Sequence, residues 1–296
     1  MTQTVSRITS AGVLSIAGEL DEVTRSGSAQ FSGSNYLDIA STAAFGFGTS
    51  DLTIEFWWRP TVNQRSDVLD FWSTGLGAGI TGRFDIGRVT GSTLDLYTDS
   101  PVGGGGSGVK ITGPSIASLL NAWHHIAITR QSGSIKMWVN GTQAGSTYSA
   151  RVLDMGSSMQ LRIMGDHNAS GNGSGNLTNV RVVKGTAVYT STFTPPTSPL
   201  SVITGTQLLL LQDSNDNLLK DSSTNNFTVT NNGAVTWSAT SPSFVSSTSI
   251  RLTPSFLYSN EFDEVTLNPI ENGLAKREYR DGRYQVAGYF DEYTGF

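Results

Sequence analysis

The sequence predicts an all-β sandwich or barrel, and three observations carry that reading. Glycine is abundant, at 33 of 296 residues, while charged residues make up only 15%. Small polar residues with little charge suit the turns and exposed faces of antiparallel sheets, and the Glu and Lys that exposed helix faces favour are sparse. Short runs of apolar and polar residues in alternation are also separated by turn chemistry about every ten residues, which is the spacing of sandwiches and barrels.

The elements follow in order. Val5–Thr9 and Val13–Ala17 flank Ser10-Ala11-Gly12, a short hairpin signal. Leu52, Ile54, Phe56 and Trp58 alternate with Thr53, Glu55, Trp57 and Arg59, and Pro60 ends the run. The Gly103–Gly108 run reads as a surface connection between strands. It lacks the Lys-Ser/Thr pair and the helix that a phosphate-binding loop needs. Trp123–Arg130 is a further strand, turned by Gln131–Ser134 into Ile135–Val139. Asn140-Gly141 then stands where a two-residue type I′ turn belongs, since both central positions need positive φ. Gln160–Met164, Leu177–Val183, Gln207–Leu211 and Phe227–Thr230 are the later strands, and a second hairpin signal centres on Asp281-Gly282.

Charge divides the chain. Residues 28–245 hold 12 Lys/Arg and 13 Asp/Glu, with Glu55 the only glutamate, whereas residues 246–296 hold 5 and 8. This marks an N-terminal arm (1–27), a body (28–245) and a C-terminal arm (246–296). The arms share a phrase: Glu19-Leu20-Asp21-Glu22-Val23-Thr24 returns as Glu261-Phe262-Asp263-Glu264-Val265-Thr266 and as Tyr289-Phe290-Asp291-Glu292-Tyr293-Thr294. Arg7–Thr24 also aligns without a gap on Arg277–Thr294. Repeated short units around one large unit suggest equivalent attachment points. An isolated hairpin is marginal in water and needs another surface. The arms are therefore expected to dock by strand addition, with Leu20, Phe262 or Phe290 filling a pocket. The adjacent acids Asp21/Glu22, Asp263/Glu264 and Asp291/Glu292 would meet a basic rim. The alternative is that the hairpins cap their own body.

Composition excludes several classes. A net charge of −5 argues against a bulk electrostatic grip on nucleic acid. With no Cys there are no disulfides or thiolate metal sites. No stretch of about 18 apolar residues is present to span a membrane, and residues 1–20 do not read as a secretion signal.

Several blocks resemble a known family. Phe31-Ser-Gly-Ser-Asn-Tyr-Leu37 and Asp51–Pro60 are similar to the opening of laminin-G-like, concanavalin A-like jelly rolls, and Ala122–Arg130 with Ile135–Gly141 to their central hairpin. Asn179–Pro196 and Leu208–Phe244 resemble the closing part of the version common in tailed-phage structural proteins, including cyanophages and other marine phages. The resemblance implies a two-sheet antiparallel jelly-roll sandwich with short hairpin arms at both termini, and recognition of glycan or protein at loop edges. It also implies a non-enzymatic virion protein (capsid decoration, tail or fibre component), assembled in the host cytoplasm. Its expected partners are other virion subunits, further copies of itself and a host-surface glycan. The alternative readings are a free lectin or adhesin and, less favoured, a glycan-degrading enzyme.

The candidate sites are modest. Glycosidases need two carboxyl groups about 5–10 Å apart across one cleft, and a lone body glutamate cannot supply the usual Glu/Asp/Glu strand. Asp67/Asp70 and Asp213/Asp216 read as turn formers, so no catalytic residue is assigned. His124 and His125 are neighbours on one strand and face opposite ways. Asp166 and Asn168 offer oxygen ligands for calcium, with Asp85, Asp95 or Asp99 in reach from neighbouring connections. An Asx-turn is the competing reading of the 166–168 loop. Trp58, Trp123 and Trp138 are expected in the core, while Trp57 and Trp72 are the candidate platforms for a sugar ring, with a half-buried packing role as the favoured reading of each.

Overall fold

The computed structural model describes residues 5–9, 12–16, 20–22, 26–73, 82–88, 91–99, 107–149, 158–168, 171–244, 250–252, 277–280 and 283–286. Its strands are β1 (Val5–Thr9), β2 (Gly12–Ile16), β3 (Leu20–Glu22), β4 (Ser28–Ser32), β5 (Tyr36–Thr42), β6 (Leu52–Pro60) and β7 (Ser66–Ser73). Then come β8 (Gly82–Arg88), β9 (Thr93–Asp99), β10 (Gly108–Ser115), β11 (His124–Gln131), β12 (Ser134–Val139), β13 (Thr142–Ser149) and β14 (Met159–Ile163). The series ends with β15 (Ser174–Lys184), β16 (Thr206–Leu210), β17 (Val229–Asn232), β18 (Thr236–Ser238), β19 (Ile250–Leu252), β20 (Arg277–Arg280) and β21 (Arg283–Val286). Among the described residues no helix is long and apolar enough to cross a membrane.

The chain divides into two compact units, one of residues 26–245 and one of residues 1–25 with 246–296. The larger unit is a jelly-roll sandwich of two antiparallel sheets. One sheet runs β10-β9-β8-β7-β14-β5-β17; the other runs β13-β12-β11-β6-β15-β4-β18, with β16 also on β15. Leu52, Ile54, Phe56 and Trp58 of β6 face Ile126 and Ile128 of β11 and the opposing Leu69, Phe71, Phe84 and Ile86 in one core. This is what period-two alternation requires of strands with one buried face. Phe45 and Phe47 meet Phe71 edge-on at 5.5 and 5.6 Å, filling one end of the core.

Turn chemistry fixes the central hairpins. Asn140 and Gly141 have φ of 50° and 78°, the pair of positive values expected of the type I′ turn. Gln131 pairs with Ser134 across the preceding turn, so β11 and β12 reach two residues closer than the sequence suggests. Beyond β15, residues 185–205 form a strap across the outer face of the eight-stranded sheet. It is held by a Thr53 Oγ1 hydrogen bond to the Thr186 carbonyl and a Phe193 N–H bond to the Gly141 carbonyl. A Cβ at position 141 would run into the Phe193 carbonyl, so glycine is needed there for space as well as for φ.

The smaller unit has three short ladders. β1 pairs with β2 and β20 with β21, the two hairpins the repeat predicts. Their registers differ: Arg7 lies opposite Leu14, whereas its counterpart Arg277 lies opposite Val286. β3 pairs with β19, which places Leu20 opposite Leu252, Asp21 opposite Arg251 and Glu22 opposite Ile250. Segments from both arms thus pair within the smaller unit.

Candidate functional site

The outward face of the seven-stranded sheet gathers charge in a single cross-strand row. Asp38 of β5 is opposite Arg162 of β14, Arg162 opposite Asp70 of β7, Asp70 opposite Asp85 of β8, and Asp85 opposite Tyr97 of β9. Asp67 joins them. Residues three apart on a regular strand face opposite ways, but β7 bulges between Asp67 and Leu69, and Asp67 and Asp70 both reach Arg83. A bulge inserts one residue and re-aims the side chain beside it. The expectation that Asp67 and Asp70 form turns is therefore corrected. Both are fully buried in a strand.

Arg83 is the hub of this row. Its Nε donates to both oxygens of Asp70 at 3.0 and 3.1 Å, and its Nη2 donates to Asp67 at 3.2 Å and to Asp85. Like charges directly opposite on neighbouring strands repel, and Asp70 faces Asp85. Burial first, and then the Asp70 and Asp67 charges, push the Asp85 carboxyl well above the ordinary aspartate range. Burial also raises Asp67, which shares a hydrogen bond with Asp85. Burial alone would weaken the Arg83 cation, yet the three acids outweigh it and hold the guanidinium charged. Arg162 makes a two-pronged pair with Asp38 at 2.7 and 2.9 Å and lies 4.0 Å over the Tyr36 ring. The row is thus largely neutralised from within, with half-buried Tyr36, Asp38, Tyr97 and His167 at its margin.

The other sheet carries a second buried network beneath the strap. Glu55 accepts from Arg181 Nε and Nη2 at 2.9 and 2.6 Å, from His125 Nε2 at 3.1 Å and from the Tyr189 hydroxyl at 2.7 Å. Burial would raise this carboxyl, but the His125 hydrogen bond and the Arg181 charge prevail and hold it below the ordinary glutamate range. Burial and the neighbouring Glu55 push the Tyr189 phenol up. With four donors on Glu55, no lone pair is left to move a proton at a substrate. His124 points away, to the Leu119 carbonyl at 3.2 Å, so the two histidines share no site.

The sequence-predicted residues are dispersed. Trp72 is 6% exposed, with Arg162 5.4 Å from its ring centre and His167 6.4 Å away, so it offers no open face for a sugar. Trp57 is half-buried, and Phe244 meets its ring edge-on at 5.8 Å. Trp58 fills the core as expected, but Trp138 sits under the strap against Phe193 and Trp123 is half-buried. Asp166 Oδ1 accepts from the Asn168 N–H at 3.0 Å, which is the Asx-turn, and its Oδ2 pairs with Arg65 at 2.9 Å. Among the described residues no group of three His, Asp or Glu is placed to hold a metal ion. Asp166 and Asn168 thus form the Asx-turn that was the competing reading of this loop. Leu20, Asp21 and Glu22 lie on β3, while Phe262, Asp263, Glu264, Phe290, Asp291, Glu292 and most of the Gly103–Gly108 run lie outside the described residues.

Sequence reasoning missed the charged row. Its signal was present as Arg83-Phe84-Asp85-Ile86 and Leu94-Asp95-Leu96, where charge alternates with core residues.

Residues 31–188, more than half of the chain, match the Laminin_G_3 family model, described as the concanavalin A-like lectin/glucanases superfamily. Similar solved structures are distant. A candidate carbohydrate-binding protein from Bacteroides ovatus matches at 20% identity and a TM-score of 0.46, over 72% of this chain and 59% of that one. Domain 4 of the arabinanase AbnA from Geobacillus stearothermophilus matches at 10% identity and 0.41, over 64% and 78%. Domains LG4-5 of the mouse laminin alpha1 chain match at 15% identity and 0.40, over 61% and 47%. Among curated proteins none matches.

Proposed function

The chain belongs to the concanavalin A-like lectin/glucanases superfamily, and from that premise we propose that it is a non-enzymatic attachment protein of a tailed-phage virion. The sandwich is the displayed module and contacts a host-surface glycan. The terminal unit joins it to neighbouring virion subunits, in a particle assembled in the host cytoplasm. One observation carries the reading: both ends of the chain return to a compact unit of their own, tied by β3 on β19. A free lectin has no need of such a unit. The absence of catalysis is supported by the acids themselves. Glu55 is saturated with donors, and Arg83 holds Asp67, Asp70 and Asp85. Neither set leaves the separated acid and base that glycoside hydrolysis requires.

The test compares the full chain with residues 26–245 on virions produced without this protein. The full chain should sediment with the particles, the fragment should not, and both should bind the same sugars on a glycan array. Incorporation of the fragment would overturn the anchoring role, and polysaccharide turnover by either would overturn the non-enzymatic one.

A further inference from the structure

The strap covers only part of the outer face of the eight-stranded sheet, and a cleft of about 340 Å³ opens along its margin. Its floor and walls include Thr129 and Gln131 of β11, Lys136 of β12, Thr147 of β13, and Tyr189 and Thr190 of the strap. We propose that this cleft binds an acidic saccharide, with Lys136 receiving the sugar's carboxylate or sulfate. The proposal rests on the glycan-binding reading above and names the ligand class and the place.

Three features point to that class. Every lining side chain other than Lys136 carries a hydroxyl or an amide, so a polyol can exchange its water hydrogen bonds for protein ones while its ring faces meet the apolar part of the lining. The one formal charge in the lining is the Lys136 ammonium. Its Nζ donates to the Thr190 carbonyl at 3.4 Å and lies 5.5 Å from the Trp138 ring centre. An ammonium has three donors, and a carbonyl uses one. Among the described residues Lys136 has no carboxylate partner, unlike Arg83, Arg162 and Arg181. The nearby acids are engaged elsewhere: Asp51 accepts from the Ser132 N–H at 2.8 Å, and Glu55 is closed by Arg181 and His125. The third feature is the half-buried Tyr189 wall, which is rigid. Its hydroxyl is tied to Glu55 and its ring stacks on Phe193 at 3.7 Å. A volume of about 340 Å³ lies near the small end of ligand clefts, roughly 300–1,000 Å³. It suits one or two sugar rings.

The experiment uses the full chain on a panel of immobilised uronate-bearing, sulfated, sialylated and neutral oligosaccharides. The proposal expects acidic sugars to bind and binding to weaken with added salt. Lys136→Met should lose at least about tenfold in affinity, in line with a lost charge-assisted hydrogen bond. Lys136→Arg should retain binding, and both variants should melt with the parent chain. Binding of neutral sugars alone, or acidic binding indifferent to Lys136→Met, would end the proposal while leaving glycan display intact. Failure to bind any sugar on the panel would end both.

Discussion

Asp85 is one of the groups through which the sandwich responds to pH. Its carboxyl stands well above 3.8 in the folded chain, through burial and then the Asp70 and Asp67 charges. A group whose folded value is raised holds its proton more tightly when folded. The stability it contributes is complete below the unfolded value and is lost as pH rises through the folded one. Glu55 has the opposite sign: its folded value is lowered, so its contribution disappears as pH falls. Replacing Asp85 with Asn keeps the shape and removes the proton. The variant should show a smaller decline in melting temperature than the parent as pH rises above the ordinary aspartate range, since Asp67 alone is then raised. Parallel melting curves for the two proteins across that range would refute this account. The alternation around Asp85 was legible beforehand, but the acids that surround it were not. Asp67 and Asp70 carry turn-forming chemistry, and only the bulge in β7, a matter of backbone register, turns them toward Arg83.

At the scale of the element, the β12–β13 turn and the strap constrain each other. Gly141 has a φ of 78° and faces the Phe193 carbonyl. Gly141→Ala should therefore cost about 2 kcal/mol or more, from left-handed strain combined with displacement of the strap. Urea unfolding should show a lower midpoint with an unchanged slope, and an unchanged midpoint would mean that the turn relaxes freely. The turn itself was readable, because Asn-Gly has a mechanism attached to it. So were β6, β11 and β12, where apolar residues alternate, and β15, whose alternation shifts by one residue at the bulge between Thr178 and Arg181. Strands β7 to β9 were missed because a bulge breaks the alternation of β7, and in β8 and β9 the positions between core residues hold the acids and arginine that compose the candidate site. The strap was missed for a different reason. Its contacts join residues far apart in sequence, such as Glu55 with Tyr189, which no local pattern encodes.

For the whole molecule, the sandwich has its own core and the terminal unit its own ladders. Residues 26–245 alone should thus melt cooperatively at the temperature of the main transition of the full chain. A fragment that is molten in near-ultraviolet circular dichroism would show that the terminal unit is part of the fold. The repeat was plain in the sequence, but the slipped hairpin register was not, since a turn can move by one residue without changing the words around it. The β3–β19 ladder has a mechanical consequence. Because the strands are antiparallel, Leu20 and Leu252 close the ladder at one end, and Glu22 and Ile250 at the other. Drawing the two termini apart would unzip the rungs one after another, at little force.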